Sequence, residues 1–102
     1  MSKKYAFLLM GKGFNPQRDH ACFSAGGVDS YIITVRSPEE AVKKARELAD
    51  EGFGALEVCG AFGENLAREM YQAADRRLTV SYVVCPKDQE EASLQFWDPG
   101  KA

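Results

Sequence analysis

The sequence predicts an α/β protein in three layers, with a four-stranded, mainly parallel sheet and helices on both faces. Two observations lead to this class. Four short apolar runs, rich in β-branched and aromatic residues, alternate with segments of helical periodicity. The first two runs also show little polar alternation, which is typical of strands covered on both sides. The predicted strands are residues 5–10, 31–35, 55–59 and 79–85.

Two strand orders are compatible with this alternation of strands and helices. Helical crossovers are almost always right-handed and give parallel strands. A flavodoxin-like or Rossmann-like half has the order 2-1-3-4, whereas a sequential half-barrel has the order 1-2-3-4. We prefer the first order, because it places the glycine-rich loops after the first and third strands beside the switch point where such sheets bind ligands.

Capping signals predict where the helices begin. The predicted helices are residues 15–23, 37–51 and 64–77. Asn15 is a good N-cap and Pro16 suits the first helical position, and this first helix is expected to end before Gly26. Ser37 and Glu40 form a capping box at the start of the second helix. The apolar stripe of that helix consists of Ala41, Val42, Ala45, Leu48 and Ala49.

The chain is predicted to form one domain over residues 1–102. A length of 102 residues leaves room for a single hydrophobic core. Residues 86–102 are polar at first and then carry an apolar pair, Phe96 and Trp97. This segment is expected to be an extended C-terminal tail or an edge strand.

Charge and apolar runs exclude several classes of partner. The formal net charge is −2, from 13 basic and 15 acidic residues, and no stretch gathers the basic ones into a stripe. We therefore expect no nucleic-acid partner. The longest apolar run, residues 5–10, is too short to span a bilayer and does not resemble a signal peptide. The expected location is the cytoplasm, with no membrane partner.

The cysteines and the histidine predict neither disulfides nor a metal site. Cys22, Cys59 and Cys85 are odd in number and lack paired spacing, so reduced thiols are expected. His20 and Cys22 are two residues apart on the predicted first helix and would point to different faces. No residue pattern specifies a cofactor.

The third strand and the loop after it carry the main candidate residues. Ligands of open parallel sheets bind beyond the carboxyl ends of the strands. Gly60 and Gly63 permit a sharp turn and a close approach to the backbone, and the helix that follows attracts anions. If Glu57 is buried in its apolar strand, its pKa should rise, which suits a general acid or base; the alternative is a structural pair. Cys59 is either an activated thiol before a helix N-terminus or a buried, inert one.

Two other loops supply candidate cations. Gly11-Lys12-Gly13 resembles the start of a dinucleotide-binding fingerprint, but Pro16 stands where that fingerprint has its last glycine. The loop is therefore expected to bind a phosphate or carboxylate through Lys12 and Gly13. Arg36, which follows the second strand, is a further candidate.

The segment Leu56-Glu57-Val58-Cys59-Gly60-Ala61-Phe62-Gly63, with the capped helix before it, resembles a family of bacterial α/β proteins of roughly 100 residues. The family is known only as a domain of unknown function, and it carries a Glu-x-Cys-Gly-x-Phe-Gly turn. The resemblance brings no established activity. It implies that the functional positions are Glu57, Cys59, Gly60, Phe62 and Gly63.

The leading hypothesis is a small-molecule binding domain, with or without enzyme activity, that holds an anionic ligand at the carboxyl edge of the sheet. Glu57 and Cys59 are the candidate catalytic residues. The candidate ligand-binding residues are Lys12, Gly13, Arg36, Gly60, Phe62 and Gly63. No metal ligand is predicted.

Two alternatives come from other functional classes. A four-stranded sheet has open edges, and the Phe96-Trp97 pair suits a contact between copies of the chain. The first alternative is therefore a homo-oligomeric structural or regulatory module, and a homodimer or higher homo-oligomer is expected. The second is a thiol-based redox protein that uses Cys59 and Cys85.

Overall fold

The α/β class is confirmed, but the sheet has five strands instead of the predicted four. A computed structural model describes residues 2–101 of the chain. Its strands are β1 (Lys3–Met10), β2 (Ala21–Ala25), β3 (Val28–Val35), β4 (Ala55–Val58) and β5 (Thr79–Tyr82). The order across the sheet is β2-β3-β1-β4-β5. Strand β2 runs antiparallel to β3, and the other neighbouring strands are parallel.

Helices and short 3-10 turns complete the described elements. The helices are α1 (Pro38–Asp50), α2 (Gly63–Ala73) and α3 (Glu90–Trp97), and the 3-10 turns cover Lys87–Gln89 and Pro99–Lys101. Helix α1 begins as predicted, because Ser37 is its N-cap and the Ser37 Oγ accepts a hydrogen bond from the Glu40 N–H at 3.2 Å. Among residues 2–101, no helix has the length and apolar character needed to cross a lipid bilayer.

The first predicted helix, which was to begin at Asn15, is wrong. The Asn15 Oδ1 accepts a hydrogen bond from the Gln17 N–H, and the Asp19 Oδ2 accepts one from the Asn15 N–H. These local side-chain bonds close a turn in place of a helix. The chain then forms β2, and Gly26 and Gly27 join it to β3. Their φ values of 63° and 79° fit a two-residue type I′ hairpin turn. The sequence analysis predicted that a helix ends before these glycines, but they form the turn of a hairpin.

The four predicted strands keep the relative order 2-1-3-4, which excludes the sequential half-barrel. The exact order still differs from the prediction, because β2 adds an antiparallel strand at the edge beside β3. The bounds differ as well. Strand β3 begins earlier than predicted, at Val28, whereas β4 and β5 end earlier, at Val58 and Tyr82.

Helices α1 and α2 lie on the same face of the sheet, so the predicted third layer is wrong. The crossovers β3-α1-β4 and β4-α2-β5 run in one direction across the sheet, and right-handed crossovers in one direction place both helices on one side. The two helices accordingly contact each other. The step from β1 to β3 runs the opposite way. The missing first helix would therefore have covered the other face.

Strand alternation and pairing register define this uncovered side, which we call the open face. The strand residues on this face are Lys3, Tyr5, Phe7, Leu9, Ala21, Phe23, Ala25, Val28, Ser30, Ile32, Thr34, Ala55, Glu57, Thr79 and Ser81. The hydrophobic core lies between the opposite face of the sheet and the two helices. Its members are Ala6, Leu8, Val35, Ala41, Ala45, Leu48, Phe53, Leu56, Val58, Phe62, Ala67, Met70, Ala74 and Leu78.

Residues 83–101, which we call the C-terminal arm, follow β5; the Val83 N–H still donates to the Val58 carbonyl at 3.1 Å, and the segment leaves the body of the protein after it. The sequence predicted either an extended tail or an edge strand for residues 86–102. Within the described residues, this segment forms α3 and the two 3-10 turns. No side chain of residues 83–100 is buried. The described chain measures 46 × 28 × 27 Å, and its radius of gyration of 14.5 Å exceeds the value of about 13 Å for a compact domain of 100 residues.

Candidate functional site

The carboxyl edge of the sheet holds most of the residues that the sequence singled out. Lys12 and Gly13 are exposed in the loop after β1, and Arg36 directly follows β3. The turn of residues 60–63 follows β4, next to β1. Within residues 2–101, however, no hydrogen bond or ion pair joins Lys12 or Arg36 to that turn. The predicted residues share an edge of the sheet without forming one cluster.

Glu57 is exposed, in contrast to the buried carboxylate considered from its apolar strand. It lies on the open face, where its Oε1 accepts a hydrogen bond from the Tyr5 hydroxyl on the neighbouring strand β1. Burial, followed by this hydrogen bond and by the negative charge of Glu57, raises the pKa of Tyr5 to about 12. Burial and Glu57 together therefore favour the neutral form of the phenol.

The turn after β4 is packed against the body at two points. The Cys59 N–H donates to the Leu8 carbonyl at 3.0 Å, and the half-buried Cys59 packs against the core. Phe62, a predicted ligand contact, is itself a core residue with only 7% of its surface exposed. Gly63 has a φ of 75°, in the left-handed region. Packing and backbone geometry thus account for Phe62 and Gly63 without a ligand.

A cleft of about 500 Å³ lies beyond the carboxyl end of β3. One wall is the turn of residues 15–17, which replaced the predicted first helix. The floor is the end of β3, residues 34–36, and the opposite wall is the exposed side of α1. The side chains that α1 contributes are Glu40, Lys43, Lys44 and Glu47.

Hydrogen bonds fix the first wall of this cleft. The Thr34 Oγ1, which is buried, donates to the Asp19 carbonyl at 2.8 Å and so ties the turn to β3. The Arg18 guanidinium donates to the Asp19 carboxylate at 2.8 Å. This bond, together with the one from the Asn15 N–H, lowers the pKa of Asp19 to about 2. The wall is therefore held by an ionised carboxylate over the whole ordinary range of pH.

Most of the charged side chains on the α1 wall of the cleft form ion pairs. The Arg36 guanidinium binds Glu40 with an N–O distance of 2.8 Å, and this bond lowers the Glu40 pKa and raises the Arg36 pKa. Lys44 pairs with Glu47 at 3.1 Å. Lys43 has no ion pair with any described residue. Lys43 does act electrostatically on Glu40, because its positive charge is one of the smaller causes of the lowered Glu40 pKa. Three cations and two carboxylates thus give the lining of the cleft a net charge of +1.

Sequence reasoning found Arg36 but missed Lys43, Lys44 and the turn amides. The signal for the two lysines was available, because the helix that carries them was predicted and they lie outside its apolar stripe. The sequence analysis predicted a helix where Asn15 and Gln17 form a turn. It therefore assigned no binding role to the side-chain amides of these two residues.

The cysteines do not form a covalent or metal-binding group. All three are free; Cys22 and Cys85 are exposed, whereas Cys59 is half-buried. The electrostatic interaction with Cys22, followed by a hydrogen bond to its thiol, raises the pKa of Tyr31, the cross-strand neighbour of Cys22 on the hairpin. Over residues 2–101, no group of three His, Cys, Asp or Glu side chains is placed to hold a metal ion.

Comparison with known proteins places the chain in a family but not with any characterised protein. The model of a family of unknown function (DUF6506) matches residues 3–98, and the chain belongs to that family. No curated protein and no solved structure matches it. The resemblance to a family of unknown function is confirmed at this level. The bacterial origin and the Glu-x-Cys-Gly-x-Phe-Gly turn as a family motif stay predictions.

Proposed function

We propose that this member of a family without an assigned activity binds a small anionic molecule in the cleft beyond β3. The composition of the cleft carries the proposal, because three cations there meet only two carboxylates. A volume of about 500 Å³ is within the range of small-molecule sites, roughly 300–1,000 Å³. The ligand class is a small carboxylate or phosphate compound.

Lys43 is the group that an incoming anion meets first. Glu40 and Glu47 are already paired with Arg36 and Lys44, so these pairs need not break for an anion to bind. An exposed ion pair contributes only about 0–1 kcal/mol. Polar contacts must therefore add to the affinity, and the side-chain amide of Asn15 lies on the opposite wall to supply them.

The position of the cleft agrees with the general rule for parallel sheets, in which ligands bind beyond the carboxyl ends of the strands. The proposal keeps the predicted edge of the sheet and the predicted Arg36. It moves the centre of the site from the turn after β4 to the end of β3. Glu57 receives no role in it, because its carboxylate lies on the open face.

A thermal-shift screen of the purified protein tests this proposal. The probes are inorganic phosphate, a dicarboxylate, a tricarboxylate and a sugar phosphate. A ligand at one hundred times its dissociation constant stabilises the folded state by about 2.7 kcal/mol, which raises the melting temperature of a domain of this size by several degrees or more.

A pair of variants then locates the site. Lys43→Gln should reduce the affinity for the stabilising probe, whereas Arg46→Gln should not. Arg46 is an exposed cation on the same helix, outside the cleft, and its replacement changes the net charge equally. Equal binding by both variants, or no stabilising probe at all, would contradict the proposal.

The thiol-based alternative has no comparable support. Cys59 is half-buried against the core, and Cys85 is exposed on the C-terminal arm. No contact in residues 2–101 brings their sulfur atoms together.

A further inference from the structure

Large apolar side chains are exposed at two places in the described chain, and both lie outside the ligand cleft. Those that are exposed are Phe23, Val83, Val84, Leu94, Phe96 and Trp97. Phe23 lies on the open face, and the other five belong to the C-terminal arm. Monomeric proteins rarely expose contiguous apolar surface of this kind without a partner for it.

The open face is apolar on one half and polar on the other. One row across the strands runs from Ala21 through Ile32 and Phe7 to Glu57 and Ser81. A second row runs from Phe23 through Ser30, Tyr5 and Ala55 to Thr79. The large apolar side chains Phe7, Phe23 and Ile32 therefore lie together on β1, β2 and β3, beside the Ser30 hydroxyl, and this part of the face is what we call the apolar half.

The arm offers aromatic surface that its own protomer does not cover. Phe96 and Trp97 are 74% and 78% exposed, and their rings meet edge to face with centroids 4.9 Å apart. Leu94 lies three residues before Trp97 and therefore on the same side of α3. Together these three side chains give α3 an exposed apolar surface.

We propose that the chain forms a symmetric homodimer in which the C-terminal arm of each protomer covers the apolar half of the partner's open face. One chain carries both halves of this contact, and two-fold symmetry then satisfies both copies at once. The same arrangement covers the open face, on which no helix packs because β2 forms where the first helix was predicted.

The area available is sufficient for a stable dimer. A buried aromatic side chain removes roughly 150–250 Å² from solvent, so Phe96 and Trp97 offer roughly 300 Å² per arm at their present exposure. Counting the matching surface of the sheet and both arms gives roughly 1,200 Å² in total. That value is at the lower limit for a specific interface before Leu94 and Val84 are added.

The second copy fits this surface better than the arm's own protomer does. The arm starts at β5, on the polar half of the open face, whereas the apolar half is centred on β3. Neighbouring strands are about 4.8 Å apart, so the arm would have to turn back roughly 14 Å over the polar surface of Glu57 and Ser81. In the structure Phe96 and Trp97 stay exposed and are not covered by the sheet of their own protomer.

Analytical ultracentrifugation with point variants of the full chain tests the proposal. The wild type should sediment as a dimer, while Phe96→Ser and Phe23→Ser should weaken dimerisation by about tenfold or more. Both residues are exposed in the protomer, so neither change should impair folding, and circular dichroism checks this. Gln95→Ser, on the same helix, is the matched control and should leave the dimer intact.

Trp97 is the only tryptophan, so its fluorescence reports on the arm directly. Its emission should shift to shorter wavelength as the wild-type protein is concentrated, and it should stay unshifted in Phe96→Ser. Mixing Phe96→Ser with Phe23→Ser should recover part of the dimer, because one intact arm then meets one intact face.

Three results would overturn the proposal. The first is a wild type that stays monomeric as concentration rises, including a monomer whose Trp97 is buried by its own sheet. The second is a dimer that survives Phe96→Ser or Phe23→Ser unchanged. The third is a mixture of these variants that forms no more dimer than either does alone.

Discussion

Replacing Gly63 by alanine should destabilise the protein, whereas the same replacement at Gly60 should not. Gly63 has a φ of 75°, and this left-handed conformation costs a residue with a Cβ about 1–2 kcal/mol. No atom lies within 4 Å of a Cβ built at Gly63, so backbone strain is the whole of the effect on the folded state. Alanine also reduces the freedom of the unfolded chain, which offsets part of this strain, so the free energy of unfolding is expected to fall by about 1 kcal/mol.

Gly60 is the matched control within the same turn. Its φ lies outside the left-handed region, and a Cβ there also meets no atom within 4 Å. Alanine should therefore stabilise the protein by about 0.4–1 kcal/mol, because it reduces the conformational freedom of the unfolded chain. Because the effect on the unfolded chain is common to both replacements, the two variants should differ by about 1–2 kcal/mol, the cost of the left-handed backbone.

Urea denaturation at a fixed protein concentration measures this difference. A fixed concentration is necessary because self-association would shift the apparent stability. In thermal unfolding, each kcal/mol corresponds to about 4–8 °C for a domain of this size. Equal effects of the two variants, or a neutral Gly63→Ala, would refute the argument from backbone geometry.

Three further predictions concern single groups. Because the pKa of Tyr5 is raised from 10.0 to about 12, its contribution to stability is complete below pH 10 and is lost as the pH rises through 12. In a tyrosinate absorbance titration, Glu57→Gln should lower this pKa only in part, since burial is the larger cause; full return to 10 would contradict the order of causes. Ser37→Ala should cost about 1 kcal/mol of unfolding free energy in urea by removing the α1 cap, while Ser37→Asp should retain it; equal losses would be inconsistent with capping. Alkylation of the native protein followed by mass spectrometry should label Cys85 faster than Cys59, and the reverse order would contradict their exposures.

The parts of the fold that were predicted correctly rest on local signals. The Ser37 N-cap and the apolar stripe behind it are both realised in α1, but the capping box is only half formed, because the Glu40 carboxylate accepts from the Arg36 N–H instead of the Ser37 N–H. The four apolar runs all form parallel strands, and their relative order follows the preference for a switch point beside the glycine-rich loops. Such features depend on neighbouring residues or on a general rule of topology.

The missed parts depend on a choice between two local structures. Asn15 is a good helix cap, but it also forms side-chain turns, and here its bond to the Gln17 N–H closes such a turn. Gly26 and Gly27 suit a helix stop and a hairpin equally well. The error had a large consequence, because replacing that helix by β2 removed an entire layer.

The proposed cleft lies at the predicted edge of the sheet, but Arg36 is the one predicted residue that lines it. Arg36 could be named because it follows a strand, and Glu57 because a carboxylate in an apolar strand is conspicuous. The side on which Glu57 lies could not be predicted, since it depends on which face the helices cover. Once one face is open, an exposed carboxylate in β4 needs no buried partner.

The place of β1 at the centre of the sheet has a kinetic consequence. The first strand of the chain pairs with β3 on one side and with β4 on the other, so that Phe7 is opposite both Ile32 and Glu57. Non-local parallel pairing of this kind slows folding, whereas a hairpin with a two-residue turn forms in about 1–10 μs. During synthesis, the β2–β3 hairpin can therefore form early. The pairing of β1 with β4, which completes the centre of the sheet, can form only after β4 has left the ribosome.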